Sequence, residues 1–257
     1  MPKKAFILNY HLIDDGEQFF DELGAVYAVK KSNFQKQMQC LHDLKIPVVP
    51  LDQILNNTVL DDFCVAITFD DGQLSDYEIA FPVLRNFGFT ATFFLSHYHV
   101  EMNQCSLGKY KEMVAAGFNI GSHGMRHLDL TQLNQVDLQS ELSDSRSWLE
   151  NELECAVTLF SLPFGKFNKL VVDFALKNGY LNLFSTEFDN ILPDRKSPVL
   201  GRWSIKRSTE IDDFRKIISQ NRFMYLKYKS GSKLKKRLVK LLGTKWANQL
   251  NTFRYKS

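Results

Sequence analysis

The 257-residue sequence lacks paired cysteines, long apolar runs and, over its last 44 residues, any acidic side chain. Its four cysteines, Cys40, Cys64, Cys105 and Cys155, never fall at a CxxC spacing. That spacing excludes a zinc ribbon and leaves no disulfide framework, so four reduced thiols are expected. No stretch approaches the ~20 apolar residues of a spanning helix. The N-terminal apolar run, Ala5 to Leu8, is shorter than the roughly 7–15-residue core of a signal peptide. The expectation is a cytoplasmic protein, either free or peripheral at the inner face of the membrane. Hydrophobic residues make up 44% of the chain and charged residues 24%, a balance that excludes disorder, collagen and coiled coil for most of its length.

The formal net charge of +3 hides two unlike parts. Residues 214–257 carry 13 lysines and arginines and no acid, while residues 1–213 hold the other 19 basic residues and all 29 acidic ones, a net of −10. The expected division is a catalytic body over residues 1–220 and a basic tail over residues 221–257. Within the tail, Gly231–Leu250 reads as a helix with Leu234, Leu238, Leu241, Leu242, Trp246 and Leu250 on one side. Two readings of it stand: an interfacial helix on an anionic membrane surface, or a helix docked on the body with a solvated basic face. No nucleic-acid motif accompanies the charge, so nucleic acid is not expected as a partner.

Short apolar runs alternate with amphipathic stretches along the body. The strand candidates are Ala5–Tyr10, Cys64–Phe69, Thr90–Leu95, Phe118–Gly121, Val157–Ser161, Tyr180–Ser185 and Trp203–Ile205. They are nearly continuous in hydrophobicity, as buried parallel strands are. Helices are expected between them: one opened by a Ser32–Gln35 capping box, one from Pro82 to Gly88, and one over Lys109–Ala116. A long helix should run from about Asn134 to Glu152 with Val136, Leu138, Leu142, Leu149 and Leu153 in its stripe, and another from the Asn168 cap to Gly179. Repeated β-α units give an α/β fold with a parallel sheet, and seven strands favour barrel-like closure.

Three motifs carry chemistry. Thr68-Phe69-Asp70-Asp71-Gly72 directly follows the apolar run Cys64–Ile67. It sets two adjacent carboxylates at the C-terminal end of a buried strand, where parallel α/β folds gather their active sites. Neighbouring carboxylates repel, and a cation or a shared proton relieves that repulsion. On its own the segment also fits a solvated turn. The second motif is Gly121-Ser122-His123-Gly124-Met125-Arg126-His127. Histidines four apart share one face if the segment is helical, a spacing suited to one metal ion. One carboxylate with two imidazoles is the ligand set of a catalytic divalent-metal site with positions open for water and substrate. The third, Phe160-Ser161-Leu162-Pro163-Phe164-Gly165, ends a strand in a Pro/Gly turn whose backbone N–H groups can face an oxyanion.

In order and spacing these motifs resemble the polysaccharide deacetylase family, the NodB-homology domain of carbohydrate esterase family 4. The resemblance runs from about Phe6 to Gln220. It implies a distorted (β/α)7 barrel, here followed by the basic helical tail, and metal-dependent removal of acetyl groups from an N-acetylated glycan. The tail and the short N-terminal apolar run extend that expectation to a lipid-linked glycan precursor. A small N-acetylated sugar as substrate, and a non-catalytic glycan-binding role, are the alternatives. By resemblance, Asp71, His123 and His127 hold a divalent metal, with Zn2+ expected first and Co2+ or Ni2+ as alternatives. Asp70 is the base that takes a proton from water. The backbone N–H of Phe164, beside Pro163, faces the tetrahedral oxyanion.

The sequence departs from the family pattern in two places. Family members commonly carry the general acid in a late Leu-x-x-His motif, but the six histidines here are His11, His42, His97, His99, His123 and His127. The early Tyr10-His11 pair resembles a subset, the poly-N-acetylglucosamine deacetylases, whose early histidine is the acid. His11 therefore takes that role. The third motif usually opens with an arginine that orients the base, and position 161 is Ser. Arg202, in Leu200-Gly201-Arg202-Trp203, is the candidate to supply the guanidinium from a later strand. The family's Asp-Trp motif finds only a weak counterpart in Asp189. His97 and His99 are expected at the rim of the site, and Trp148 and Trp203 in the core.

Overall fold

A computed structural model describes residues 4–16, 22–56, 58–59, 61–102, 105–187 and 197–219. The basic tail, with its Gly231–Leu250 helix, and Asp189 lie outside the described residues. In chain order the strands are β1 (Lys4–Tyr10), β2 (Leu12–Asp14), β3 (Ala28–Lys30), β4 (Phe63–Asp71), β5 (Thr92–Leu95), β6 (Asn119–Ser122), β7 (Leu159–Ser161), β8 (Asn182–Phe184), β9 (Val199–Leu200) and β10 (Trp203–Ser204). Eight of them form one sheet in the order β10-β1-β4-β5-β6-β7-β8-β9, and every ladder in it is parallel. The sheet curls into an incompletely closed barrel. Its two edge strands, β9 and β10, are separated in sequence by only Gly201 and Arg202. Arg202 thus sits at the seam where the edges meet.

All seven expected strands are present. The eighth, β9, and the small parallel pair β2–β3 have two or three residues each, too few to show a period. The helices are α1 (Glu22–Tyr27), α2 (Lys31–Asp43), α3 (Leu51–Leu55), α4 (Phe81–Asn86), α5 (His97–Met102), α6 (Leu107–Ala115), α7 (Gln135–Leu153), α8 (Lys169–Lys177) and α9 (Ile211–Ile218). The Asn134 and Asn168 side chains cap α7 and α8 by accepting from the N–H groups of Asp137 and Val171. Three expectations need correction. The cap position of α2 is Lys30 and carries no side-chain bond, so Ser32 and Gln35 form no capping box. A π-helical turn over Asp76–Ala80 precedes α4, so the helical segment begins before Pro82. Val136 faces solvent at 81% exposure, because it falls in the first turn of α7, outside the stripe that meets the sheet.

The strands' period of two builds the site. Phe6, Leu8, Val65, Ile67, Phe69 and Phe93 pack under the helices on one face. Ala5, Ile7, Cys64, Ala66, Phe94, Phe184 and Leu200 fill the concave face, with α3 closing that layer through Leu51 and Ile54. One step further along the concave face, β1 presents Asn9 after Ile7, and β4 presents Thr68 and Asp70 after Ala66. A polar layer therefore rests on an apolar one at the C-terminal end of the barrel. All three polar side chains are buried there.

Candidate active site

Arg202 organises the polar layer. Its Nη1 and Nη2 donate to the two carboxylate oxygens of Asp70 at 2.8 and 2.7 Å. Nη1 also donates to Asn9 Oδ1 at 2.9 Å, and Nη2 to Ser161 Oγ at 2.8 Å. The guanidinium lies against the rings of Phe94 and Phe184, 5.4 and 5.9 Å from their centroids. Asn9 Nδ2 adds a second donor to Asp70 at 3.1 Å. Burial alone would push the Asp70 carboxyl up. The charge of Arg202, aided by those of His123 and His11, outweighs burial and brings it down to about 2. Asp70 is an ionised carboxylate locked in one orientation.

Asp71 turns the other way, on a backbone with φ of +85°. Its Oδ1 is buried and has no hydrogen-bond partner among the described residues. Nε2 of His123 faces that oxygen at 3.4 Å and Nε2 of His127 at 3.5 Å. The three ligand atoms lie within 4.8 Å of one another. A cation bonded to each at ~2.0–2.2 Å sets tetrahedral ligand atoms about 3.4 Å apart, so the group fits one. His123 Nδ1 sits 2.8 Å from the carbonyl of Ser161. Donation there leaves the Nε2 lone pair facing the gap. Burial, reinforced by the charge of His123, presses His127 down to about 3, so its ring stays neutral and able to ligate. Burial opposes a proton on His123, but Asp70 and Asp71 outweigh it and raise that ring above its usual value.

The second motif is a loop, which corrects the helical reading of the His123–His127 spacing. Glu141, fully buried on α7, holds the loop: its Oε2 accepts from the N–H groups of Met125 and Arg126 at 3.0 and 3.1 Å, and its Oε1 from Arg126 Nε at 2.6 Å. The turn brings His127 to φ of +54°. In the third motif Pro163 is buried and opens a 3-10 turn, while Phe164 takes φ of +59° with its ring exposed and 4.7 Å from that of His127. Gly165 follows with φ of +67°; a Cβ there would collide with Thr186. Three of the described non-glycine residues with positive φ, Asp71, His127 and Phe164, are thus gathered at one site, the kind of place where backbone strain collects.

A polysaccharide deacetylase family model matches residues 58–183. The Bacillus subtilis (strain 168) protein YxkH, itself named for that family, is 32% identical over 191 residues, covering 72% of this chain and 66% of its own length. The chain belongs to the polysaccharide deacetylase family. A Staphylococcus aureus (strain MRSA252) relative named poly-beta-1,6-N-acetyl-D-glucosamine N-deacetylase is 26% identical, with 77% of each chain covered. The fold is shared with the Streptococcus pyogenes deacetylase PplD at a TM-score of 0.74 and 23% identity, over 85% of this chain and 99% of that one. The chain spans just under two thirds of the length of YxkH.

In this member of the family, Asp70, Asp71, His123, His127, Pro163, Phe164 and Arg202 all meet at the C-terminal end of the sheet. His11 joins them. The register pairs Tyr10 with Phe69, so His11 and Asp70 are the next residues of adjacent strands. The His11 ring lies against Tyr27 at 4.5 Å, and burial lowers its pKa against the pull of Asp71 and Asp70. Sequence reading missed Asn9 and Glu141. A polar residue interrupting an apolar strand was the available sign for Asn9, whereas Glu141 looked like any acid on a helix. His97 is turned onto Trp148, 4.8 Å between ring centroids. His99 comes closer to the site than a rim position: its Nδ1 is 3.8 Å from Asp71 Oδ1. Trp203 is buried in the core, and Trp148 packs partly buried against it.

Proposed function

We propose that this chain is a metal-dependent hydrolase that removes N-acetyl groups from an amino-sugar glycan. One observation carries the reading: an ionised Asp70, fixed by Arg202 and Asn9, stands next to a metal-fitting group whose central oxygen, Asp71 Oδ1, has no other partner among the described residues. Asp71, His123 and His127 would hold the ion, with Zn2+ first and Co2+ or Ni2+ as alternatives. A divalent cation supplies positive charge that polarises an amide carbonyl and makes bound water acidic.

The residues of the chain do the rest. Asp70 accepts the proton of the attacking water, and the bidentate grip of Arg202 keeps its free lone pairs directed at the site. The backbone N–H of Phe164 faces the oxyanion that forms at the carbonyl carbon. His11 gives a proton to the departing nitrogen, which leaves as the amine of the deacetylated sugar. For substrate class, the early histidine and the coverage of the Staphylococcus aureus relative support a poly-β-1,6-N-acetylglucosamine-like glycan. Acetate release from N-acetylglucosamine oligomers by the Zn2+-loaded chain tests the proposal. Release that chelation abolishes is the expected result, and no release from any N-acetylated glycan overturns it.

A further inference from the structure

His11 is the single residue between β1 and β2, where the chain leaves the main sheet and enters the small one. β2 pairs with β3 in parallel, with Leu12 opposite Ala28. One step back along both strands, His11 stands opposite Tyr27, the last residue of α1. That register accounts for their ring contact, with centroids 4.5 Å apart and planes 35° apart. Nδ1 of His11 is buried and has no hydrogen-bond partner among the described residues. Active-site imidazoles are commonly oriented by a hydrogen bond at one ring nitrogen. Nδ1 supplies no such restraint here, and the flat contact with Tyr27 stands in its place.

The segment after β10 holds Tyr27 in turn. Arg207 N–H donates to the carbonyl of Val26 at 3.0 Å, and Arg207 Nη1 to the carbonyl of Ala28 at 3.2 Å. One residue therefore binds the backbone on both sides of Tyr27. The same Nη1 donates to Asp14 Oδ2 at 2.8 Å, at the far end of β2. Lys206 Nζ lies over the Tyr27 ring, 5.6 Å from its centroid. Two further bonds tie this unit to the site: Ile205 N–H donates to the carbonyl of Asn9 at 2.8 Å, and Ile13 N–H to Ser75 Oγ, just beyond the Asp70–Asp71 turn, at 3.1 Å. Two short strands have little stability of their own. The small β2–β3 pair is fixed from outside, and its ties surround the ring that faces His11.

We propose that Tyr27 is the positioning residue for the general acid: its ring fixes the tilt of the His11 imidazole, and Lys206 and Arg207 keep the tyrosine in place. A proton donor must stand within about 2.6–3.2 Å of the atom it serves, and a displacement of ~1 Å can cost ~10²-fold in rate. The inference rests on the proposed function for the role of His11 and goes beyond it in naming what orients that ring.

The test measures kcat, KM and zinc content of the full chain, with acetate release from N-acetylglucosamine oligomers as the assay. Tyr27→Leu keeps apolar bulk and removes the flat ring. It should lower kcat at least ~10-fold and leave KM and zinc content as in wild type. Tyr27→Phe keeps the ring and should recover most of the lost turnover. Adding Tyr27→Leu to His11→Ala should cost nothing further, because the tyrosine acts through the histidine. Wild-type kcat in folded Tyr27→Leu, or a full additional loss in the double variant, would overturn the proposal. Should Tyr27→Leu not fold, Arg207→Met loosens the same support and leaves the ring; it should lower kcat and likewise add nothing to His11→Ala, and an additive loss there would overturn the proposal. Wild-type kcat in His11→Ala would remove this inference and leave metal-dependent hydrolysis standing, whereas no release by the wild-type chain overturns the proposed function itself.

Discussion

Arg202 and Asp70, 132 residues apart in sequence, form a two-point ion pair of 2.8 and 2.7 Å with both side chains buried. The arginine stands in the seam between the sheet's edge strands. It also bonds Ser161, the position where the family usually places an arginine of its own. A guanidinium thus reaches that position from the β9–β10 junction. Removing it should leave a buried carboxylate without its counter-charge, a change that costs about 3–5 kcal/mol. Arg202→Met should lower stability by that order, seen in urea unfolding, and should abolish most turnover. Arg202→Lys should recover only part of both, since an ammonium makes no two-point contact.

Two aspartates give opposite pH signatures in folding. Asp70 is held at about 2, below the ~3.9 of a free carboxyl. Its contribution to stability is full above pH ~4 and is lost as the pH falls through about 2. Asp76 has the reverse sign. Burial raises its carboxyl well above the usual range, even though the Gln73 N–H and the Tyr110 hydroxyl donate to it. The folded chain keeps that proton, so stability declines as the pH rises from ~4 toward the folded value. Asp76→Asn should flatten that decline in a series of Tm measurements across pH. An unchanged slope would count against a proton on Asp76.

Metal binding should be linked to pH through the histidines. His123 is raised by Asp70 and Asp71, and that proton must leave before its Nε2 can ligate. Affinity for Zn2+ should therefore increase with pH across the histidine range, with proton release visible as buffer-dependent heats of binding. Heats that do not depend on the buffer would contradict the assignment of His123 as a ligand.

Glu141 should act on the metal without touching it. It holds the loop that carries His127 by accepting three hydrogen bonds from two residues. Glu141→Ala should weaken Zn2+ binding by about 10–100-fold, the usual effect of losing an outer-shell partner. Metal affinity equal to wild type in a folded Glu141→Ala variant would show that the loop holds its shape unaided.

What the sequence could reveal followed from distance along the chain. Asp70, Asp71, His123 and His127 were readable because each pair lies within five residues at a strand end. Arg202 was readable only as the counterpart of an arginine missing at position 161. Asn9 and Glu141 act through contacts 61 and about 15 residues away, and neither has a local pattern that marks it. The barrel was readable from seven apolar runs, but the seam was not, because β9, the edge strand facing β10 across it, has only two residues. The spacing of His123 and His127 pointed to one ion for the wrong reason. A loop clamped by a buried glutamate brings them together, with no helix involved.

The general acid is tested separately from the base. His11→Ala should bind Zn2+ as wild type does and lose about 10²–10⁴-fold in kcat. A wild-type kcat would remove His11 from the reaction.

In the proposed reaction Asp70 performs the chemistry on an ion held by its neighbour Asp71. The most direct measurement pairs zinc content with acetate release from N-acetylglucosamine oligomers, in wild type and in Asp70→Asn. One zinc per chain is expected in both proteins, with release in the wild type and a loss of at least ~10²-fold in the variant. Release at the wild-type rate by Asp70→Asn would contradict it.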